Sequence, residues 1–375
     1  MRQRGNCMYL YNKITKNRGR VASQVVSQKE RDRLVARAEE VLGHEYYGWK
    51  VNIDGFCIQL FTNSYHLNEF WIENWFSMSR KIRSHGRIYA VLDSEFKNGE
   101  PYAAYNPETK TAVIFNTEYY GQVKSWGALG ISCDIAEDQH DIHSIHGSCI
   151  EVNGDGIVLI APTNTGKSTH SYALLQMEGA RLHSDDWLYV RFIGGEKGRV
   201  SADISERKFY IRTNIVKVFP EIRRLLNKCK LENVEPLTPE EVEERKRQGK
   251  PVTDDPYVAH DYSRAMLDPL WIAGPAKFVD TTRIRRVLLL QRNRNDPEIV
   301  RKLDVEEALE YLVTQPEQFL NPYLNVITPE KTEVRKNFFR RLFRLVPCYL
   351  VNTVDPVDVV QQKIREIIKG KFDGN

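Results

Sequence analysis

The stretch Gly156-Ile157-Val158-Leu159-Ile160-Ala161-Pro162-Thr163-Asn164-Thr165-Gly166-Lys167-Ser168-Thr169 decides the reading of this chain. Its first five residues are an apolar run of strand length, and Thr169 to Met177 favours a helix. A strand, a loop ending in Gly-Lys-Ser and a helix together make a place for phosphate. Successive backbone N–H groups and the helix N-terminus surround the anion, Lys167 neutralises it, and the Ser168 hydroxyl is suited to ligate Mg²⁺. Thr163, Asn164, Thr165, Gly166, Lys167, Ser168 and Thr169 are therefore the expected nucleotide-binding residues. Two positions depart from the usual glycines, Ala161 at the start of the loop and Asn164 within it. Asn tolerates positive φ better than most residues, whereas Ala161 needs a backbone that a Cβ permits.

After the helix come Asp185-Asp186 and the strand-like run Trp187 to Phe192. Two adjacent carboxylates beside a phosphate loop divide the labour: one holds Mg²⁺, the other accepts the proton of an attacking hydroxyl. Which acid does which is open at this point.

These blocks resemble the HPr kinase/phosphorylase family, whose catalytic domain is related to that of phosphoenolpyruvate carboxykinases. The resemblance rests on His146-Gly147, which precedes Lys167 by 21 residues, on the loop, on Asp185-Asp186, on Glu206 to Phe219 and on Tyr262 to Asp268. It covers roughly residues 142 to 292. It implies a P-loop α/β kinase domain in which Lys167 and Ser168 hold phosphate and metal, one of Asp185 and Asp186 is the base, Glu206 helps hold Mg²⁺, and His146 and Arg264 approach the transferred phosphate. It also raises assembly as a homo-oligomer. Lys208 and Phe209 stand where the family carries Arg and Gly. The expected activity is transfer of the γ-phosphoryl group of a nucleoside triphosphate, ATP for preference, to a hydroxyl of a protein serine or of a small molecule. Two rivals are a carboxykinase-type lyase and a nucleotide-binding switch without turnover. The chain has no Asn-Lys-x-Asp run for guanine.

Around this centre the chain divides into an α+β portion over residues 1–120, the P-loop portion over 121–299 with a surface insert near 226–260, and a mainly helical cap over 300–375 with a strand near Cys348 to Val351. Ser27 with Glu30 starts a helix carrying Leu34, Ala38, Val41 and Leu42 on one face and stopped by Gly43. Leu67, Trp71, Trp75 and Met78 recur at helical spacing. Thr238-Pro239 with Glu241, Asp304 with Glu307, Thr328-Pro329 and Asp355-Pro356 begin later helices. His140, His143 and His146, placed on one strand, would not share a face, which argues against a three-histidine metal site. The basic aromatic segment Arg335 to Arg344 reads as a helix packed on the kinase portion rather than on a membrane. Arg283, Arg285 and Arg286, just before an apolar strand, are equally suited to an anionic substrate or to solvent.

Composition agrees with a folded protein, 41% hydrophobic and 28% charged. The net charge of +4 suits anionic ligands and falls short of a nucleic-acid-binding domain. The cysteines are scattered singly, and the apolar runs are too short to span a bilayer, so a reduced cytoplasmic setting is expected. Residues 1–29 carry Lys and Arg without acids, read as a disordered or strand-forming lead rather than a transit peptide.

Overall fold

The computed structural model describes residues 21–162, 165–194, 198–320 and 327–372. Within them the chain is mixed α/β and builds three sheets. The N-terminal sheet has the order β1-β6-β7-β5-β3-β2-β4, from β1 (Ser23–Val25), β2 (Tyr47–Ile53), β3 (Phe56–Thr62), β4 (Phe76–Ser77), β5 (Gly86–Val91), β6 (Tyr102–Asn106) and β7 (Thr111–Phe115). Its inner strands β3, β5 and β7 run parallel, and β2–β3 and β6–β7 are antiparallel hairpins.

Helix α1 (Gln28–Leu42) covers one face of this sheet, with Leu34, Ala38 and Leu42 packing on Tyr89, Val113 and Phe115. The Ser27 side chain accepts from the Glu30 N–H, and Gly43 ends the helix at φ 52°. Glu30 does not complete a reciprocal capping box, because both its carboxylate oxygens take the Arg33 guanidinium. Helix α2 (Tyr65–Asn74) buries Leu67, Phe70 and Trp71 on the opposite face. It stops before Trp75, so Met78 lies outside the helix that the spacing predicts. The chain turns there to form β4, and Met78 donates its N–H to the Lys50 carbonyl.

A continuous helical segment, π-helical over Gln122–Leu129 and then α3 (Gly130–His140), packs between the N-terminal sheet and the next one. Val123, Trp126, Leu129, Ile131 and Ile135 share a core with Ile58 and Ile88 on one side and with Trp187 and Tyr189 on the other. His140 is in the last turn of α3, not on the strand of His143 and His146. Asp141, left-handed at φ 51°, separates the two elements.

The central sheet runs β11-β9-β10-β17-β13-β12-β8, from β8 (His143–His146), β9 (Ser148–Val152), β10 (Asp155–Ile160), β11 (Ala180–Ser184), β12 (Trp187–Ile193), β13 (Arg199–Ile204) and β17 (Thr281–Gln291). β19 (Cys348–Asn352) lies parallel to the second half of β17, and β18 (Val300–Leu303) pairs with β19. The region beyond residue 300 thus supplies two strands to this sheet as well as α6 (Val305–Val313), α7 (Pro329–Leu345) and α8 (Val357–Ile368). Alternate residues of β10 feed opposite cores: Ile157 and Leu159 pack beneath α4 (Lys167–Leu175) and α8, Val158 and Ile160 beneath α6 and α7. Phe338, Phe339, Leu342 and Phe343 of α7 are buried there, so its apolar face is spent on the core. Arg335 donates to the Phe319 and Ser144 carbonyls and pairs with Glu137 at 3.0 Å.

The third sheet, β14-β16-β15, consists of β14 (Phe209–Arg212), β15 (Lys230–Glu232) and β16 (Arg264–Leu267). The predicted insert contains β15, buried at Leu231 and Glu232, and α5 (Pro239–Arg247), which buries no residue and carries the full Thr238–Glu241 capping box. Among the described residues no helix is long and apolar enough to cross a membrane.

Candidate functional site

Strand β10 delivers the chain to Ala161 and Pro162, and the loop re-enters regular structure at Gly166, whose φ of 96° is a left-handed conformation suited to glycine. A Cβ there would lie 3.2 Å from the His170 ring as well as being strained. Ala161 keeps a negative φ, as its side chain requires. Thr165 is tied at both ends, donating its hydroxyl to the Pro162 carbonyl and accepting from the Thr353 hydroxyl at 2.8 Å. Thr163 and Asn164 lie outside the described residues. Gly166, Lys167, Ser168 and Thr169 face a cavity of about 480 Å³ at the start of α4.

Opposite the loop stand Asp185 and Asp186, in the two-residue link from β11 to β12. The Lys167 ammonium donates to the Asp185 carbonyl at 2.8 Å and to Asp186 Oδ1 at 3.0 Å. His146, at the end of β8, stacks on Trp187 and places Nε2 3.2 Å from the same Oδ1, while its Nδ1 meets the Glu317 carbonyl. The Gly147 N–H donates to the Asp186 carbonyl. Glycine is required at 147 because a Cβ would come within 2.7 Å of the Leu159 carbonyl. That close crossing holds the His146 strand end against the loop strand.

The second Asp186 oxygen is met from below by Lys124, which the sequence reading missed. Lys124 projects from the π-helical turn and is 1% exposed. Its ammonium lies 2.9 Å from each Glu206 oxygen and 3.4 Å from Asp186 Oδ2. Glu206 also accepts from Asn74 at 3.3 Å. Glu206, expected from the resemblance as a Mg²⁺ ligand, has the Lys124 ammonium at both oxygens and does not line the main cavity.

The two neighbouring acids differ electrostatically. Burial pushes the Asp185 carboxyl above its ordinary value, and the negative Asp186 adds to the rise against the pull of Lys167. Burial works the same way on Asp186, but there Lys167, Lys124 and His146 outweigh it and hold the carboxyl well below the usual range. Burial likewise raises Glu206 despite Lys124. The Lys124 ammonium is opposed by burial, yet Glu206 and Asp186 hold it above its ordinary value.

Arg264 lines the far wall with Arg212, which is its direct cross-strand partner. Arg264 is buried and donates only to the Asp261 and Ser263 carbonyls; among the described residues no carboxylate pairs with it. Lys217 and Arg292 add to the lining, as do Tyr119, Tyr210 and Glu317. Like charges opposite one another on a ladder are unfavourable alone and are relieved by an anion between them. Lys208 is paired with Asp268.

The structure therefore brings Lys167, Ser168, Asp185, Asp186, His146 and Arg264 to one cavity, with Glu206 behind it. Among the described residues no three His, Cys, Asp or Glu side chains are grouped to hold a metal ion by themselves. Ser168, Asp185 and Asp186 offer hard oxygen donors, a set that fits Mg²⁺ shared with phosphate oxygens, as this ion is commonly bound.

Fold and site together define a mixed α/β protein with a cation-lined cavity at the N-terminus of a helix. No protein-family model matches the chain, and no curated protein matches it. Among solved structures it is similar to the Hpr(Ser) kinase/phosphatase from Coxiella burnetii, with 12% identity and a TM-score of 0.31 over 62% of this chain and 99% of that one. At that distance the functional reading is carried by the site itself.

Proposed function

We propose that the chain is a Mg²⁺-dependent kinase that transfers the γ-phosphoryl group of a nucleoside triphosphate, ATP for preference, to a hydroxyl of a protein serine or of a small molecule. The single observation that carries this reading is the convergence, on one cavity, of the Gly166–Thr169 helix start, the Lys167 ammonium and two adjacent carboxylates of opposite electrostatic character. Backbone N–H groups at the start of α4 and Lys167 hold the phosphates. Arg264 and Arg212 steady anionic oxygens on the opposite wall.

In this reading Ser168 and Asp186, with Asp185 at hand, hold Mg²⁺, which when bound offsets phosphate charge. Asp186, kept ionised by the Lys167 and Lys124 ammonium groups and the His146 hydrogen bond, is the metal-side acid. Asp185, whose proton affinity is raised by burial, is the base. The acceptor hydroxyl oxygen bonds to the γ-phosphorus, the bond from that phosphorus to the β–γ bridging oxygen breaks, the nucleoside diphosphate leaves, and the hydroxyl proton passes to Asp185. His146 orients Asp186 through Nε2.

The test is transfer of γ-labelled ATP phosphate into cell extract separated into macromolecules and small metabolites, with Mg²⁺, comparing wild type and Lys167→Met. Label with wild type alone is the expected result and identifies the acceptor pool. Absence of label from both pools, with nucleotide binding measured directly, overturns the kinase reading.

A further inference from the structure

We infer that Lys124 is a built-in counter-cation between Asp186 and Glu206, occupying the place that a second divalent ion would otherwise take and limiting the site to one metal. The inference rests on the metal-binding reading above and concerns a residue outside every motif that led to it. The ammonium is equidistant from the two Glu206 oxygens, at 2.9 Å each, and reaches Asp186 Oδ2 at 3.4 Å, so its donors point at the two acids that it bridges. It is shut away from solvent, with the Tyr210 ring at 5.6 Å on one side and the helix that carries it on the other. Glu206 has the Asn74 amide as its remaining contact and, unlike Asp186, does not line the cavity.

Without Lys124, Asp186 and Glu206 would be two oxygen-donor acids facing one another across a buried gap, the arrangement in which carboxylates gather a divalent ion. A fixed ammonium offsets one of their two charges without needing free metal and leaves Asp186 Oδ1, on the Lys167 side, as the oxygen turned to the cavity. Lys124 is not itself part of the cavity lining and acts through Asp186, as a positioning residue.

The test is Mn²⁺ stoichiometry by electron paramagnetic resonance, with and without ATP, on the full chain. Wild type and Glu206→Gln are expected to bind one Mn²⁺ with ATP, Lys124→Met two, Lys124→Arg one, and Lys124→Met/Glu206→Gln one again. Tryptophan fluorescence and thermal midpoint establish that each variant is folded. Two Mn²⁺ in the wild type, with one lost in Glu206→Gln, overturn the inference, and this comparison stands even where Lys124→Met fails to fold. One Mn²⁺ in folded Lys124→Met also overturns it, leaving the one-metal kinase reading intact. No Mn²⁺ in any variant overturns both.

Discussion

Replacing Glu206 by Gln keeps the shape of the side chain and deletes one charge from the buried Lys124–Glu206–Asp186 group, so its cost follows from the distances. With an effective dielectric constant of about 20, opposite charges 2.9 Å apart attract by about 6 kcal/mol. Glu206 no longer has to be desolvated as an ion, which returns several kcal/mol, and Asp186 at 3.4 Å still faces the ammonium. The net loss should therefore fall near 2–3 kcal/mol, below the roughly 3–5 kcal/mol of a buried charge left with no partner. Lys124→Met should cost more, because it leaves two buried carboxylates facing each other. The double variant, with both charges gone, should recover most of the loss, so that its cost falls well below the sum of the two single costs. Urea unfolding followed by tryptophan fluorescence measures all four corners of the cycle. A Glu206→Gln protein within about 0.5 kcal/mol of wild type, with additive effects in the double variant, refutes the reasoning, since it would mean that Lys124 draws its compensation elsewhere.

Three other outcomes are expected. The Asp185 carboxyl, raised by burial, serves as base only when ionised, so turnover should fall as pH drops through a value above the ordinary carboxylate range. Asp185→Asn should remove that limb and lower kcat by roughly 10²–10⁴-fold, and an unchanged pH–rate profile would exclude Asp185 as the base. Asp186 is held low in the folded state, so its share of stability is present above its unfolded pKa of about 4 and lost as pH falls through the depressed folded value; Asp186→Asn should flatten the acid side of the stability curve. Gly166→Ala forces a side chain into φ 96° against His170 and should cost about 1–2 kcal/mol with weakened nucleotide binding; equal affinity by titration would show that the loop does not hold phosphate in this conformation.

The parts of the site that are contiguous in sequence were readable because their chemistry is local. A strand run, Gly-Lys-Ser and a helix former declare themselves within fourteen residues, as Thr238-Pro239 with Glu241 declares a helix start. Lys124 gave no such signal. It is one lysine among Val123, Trp126, Ala128 and Leu129, and a single charge inside an apolar helical run is its only trace. Its partners lie 62 and 82 residues away, reached only by the packing of the helix between two sheets. Arg212 and Arg264 face one another through a strand pairing that spans 52 residues and leaves no periodicity to read. The histidine triplet misled for a related reason: equal spacing implied one element, and the left-handed Asp141 divides it into two. The parallel pairing of β3, β5 and β7 is likewise set by contacts that no short window contains.

The helix that runs from Gln122 to His140 is a keystone as well as a core element. The two sheets lean on it through opposite faces, and the cation beneath Asp186 is mounted on it. Asn74 of α2 steadies Glu206, and His66 of the same helix meets Glu232 of the third sheet at 2.7 Å. The N-terminal half is thus wired into the electrostatics of the cavity. A chimera that grafts the loop-bearing half onto a foreign partner inherits Lys167 and both aspartates but forfeits the charge that balances them, unless the graft brings the keystone with it.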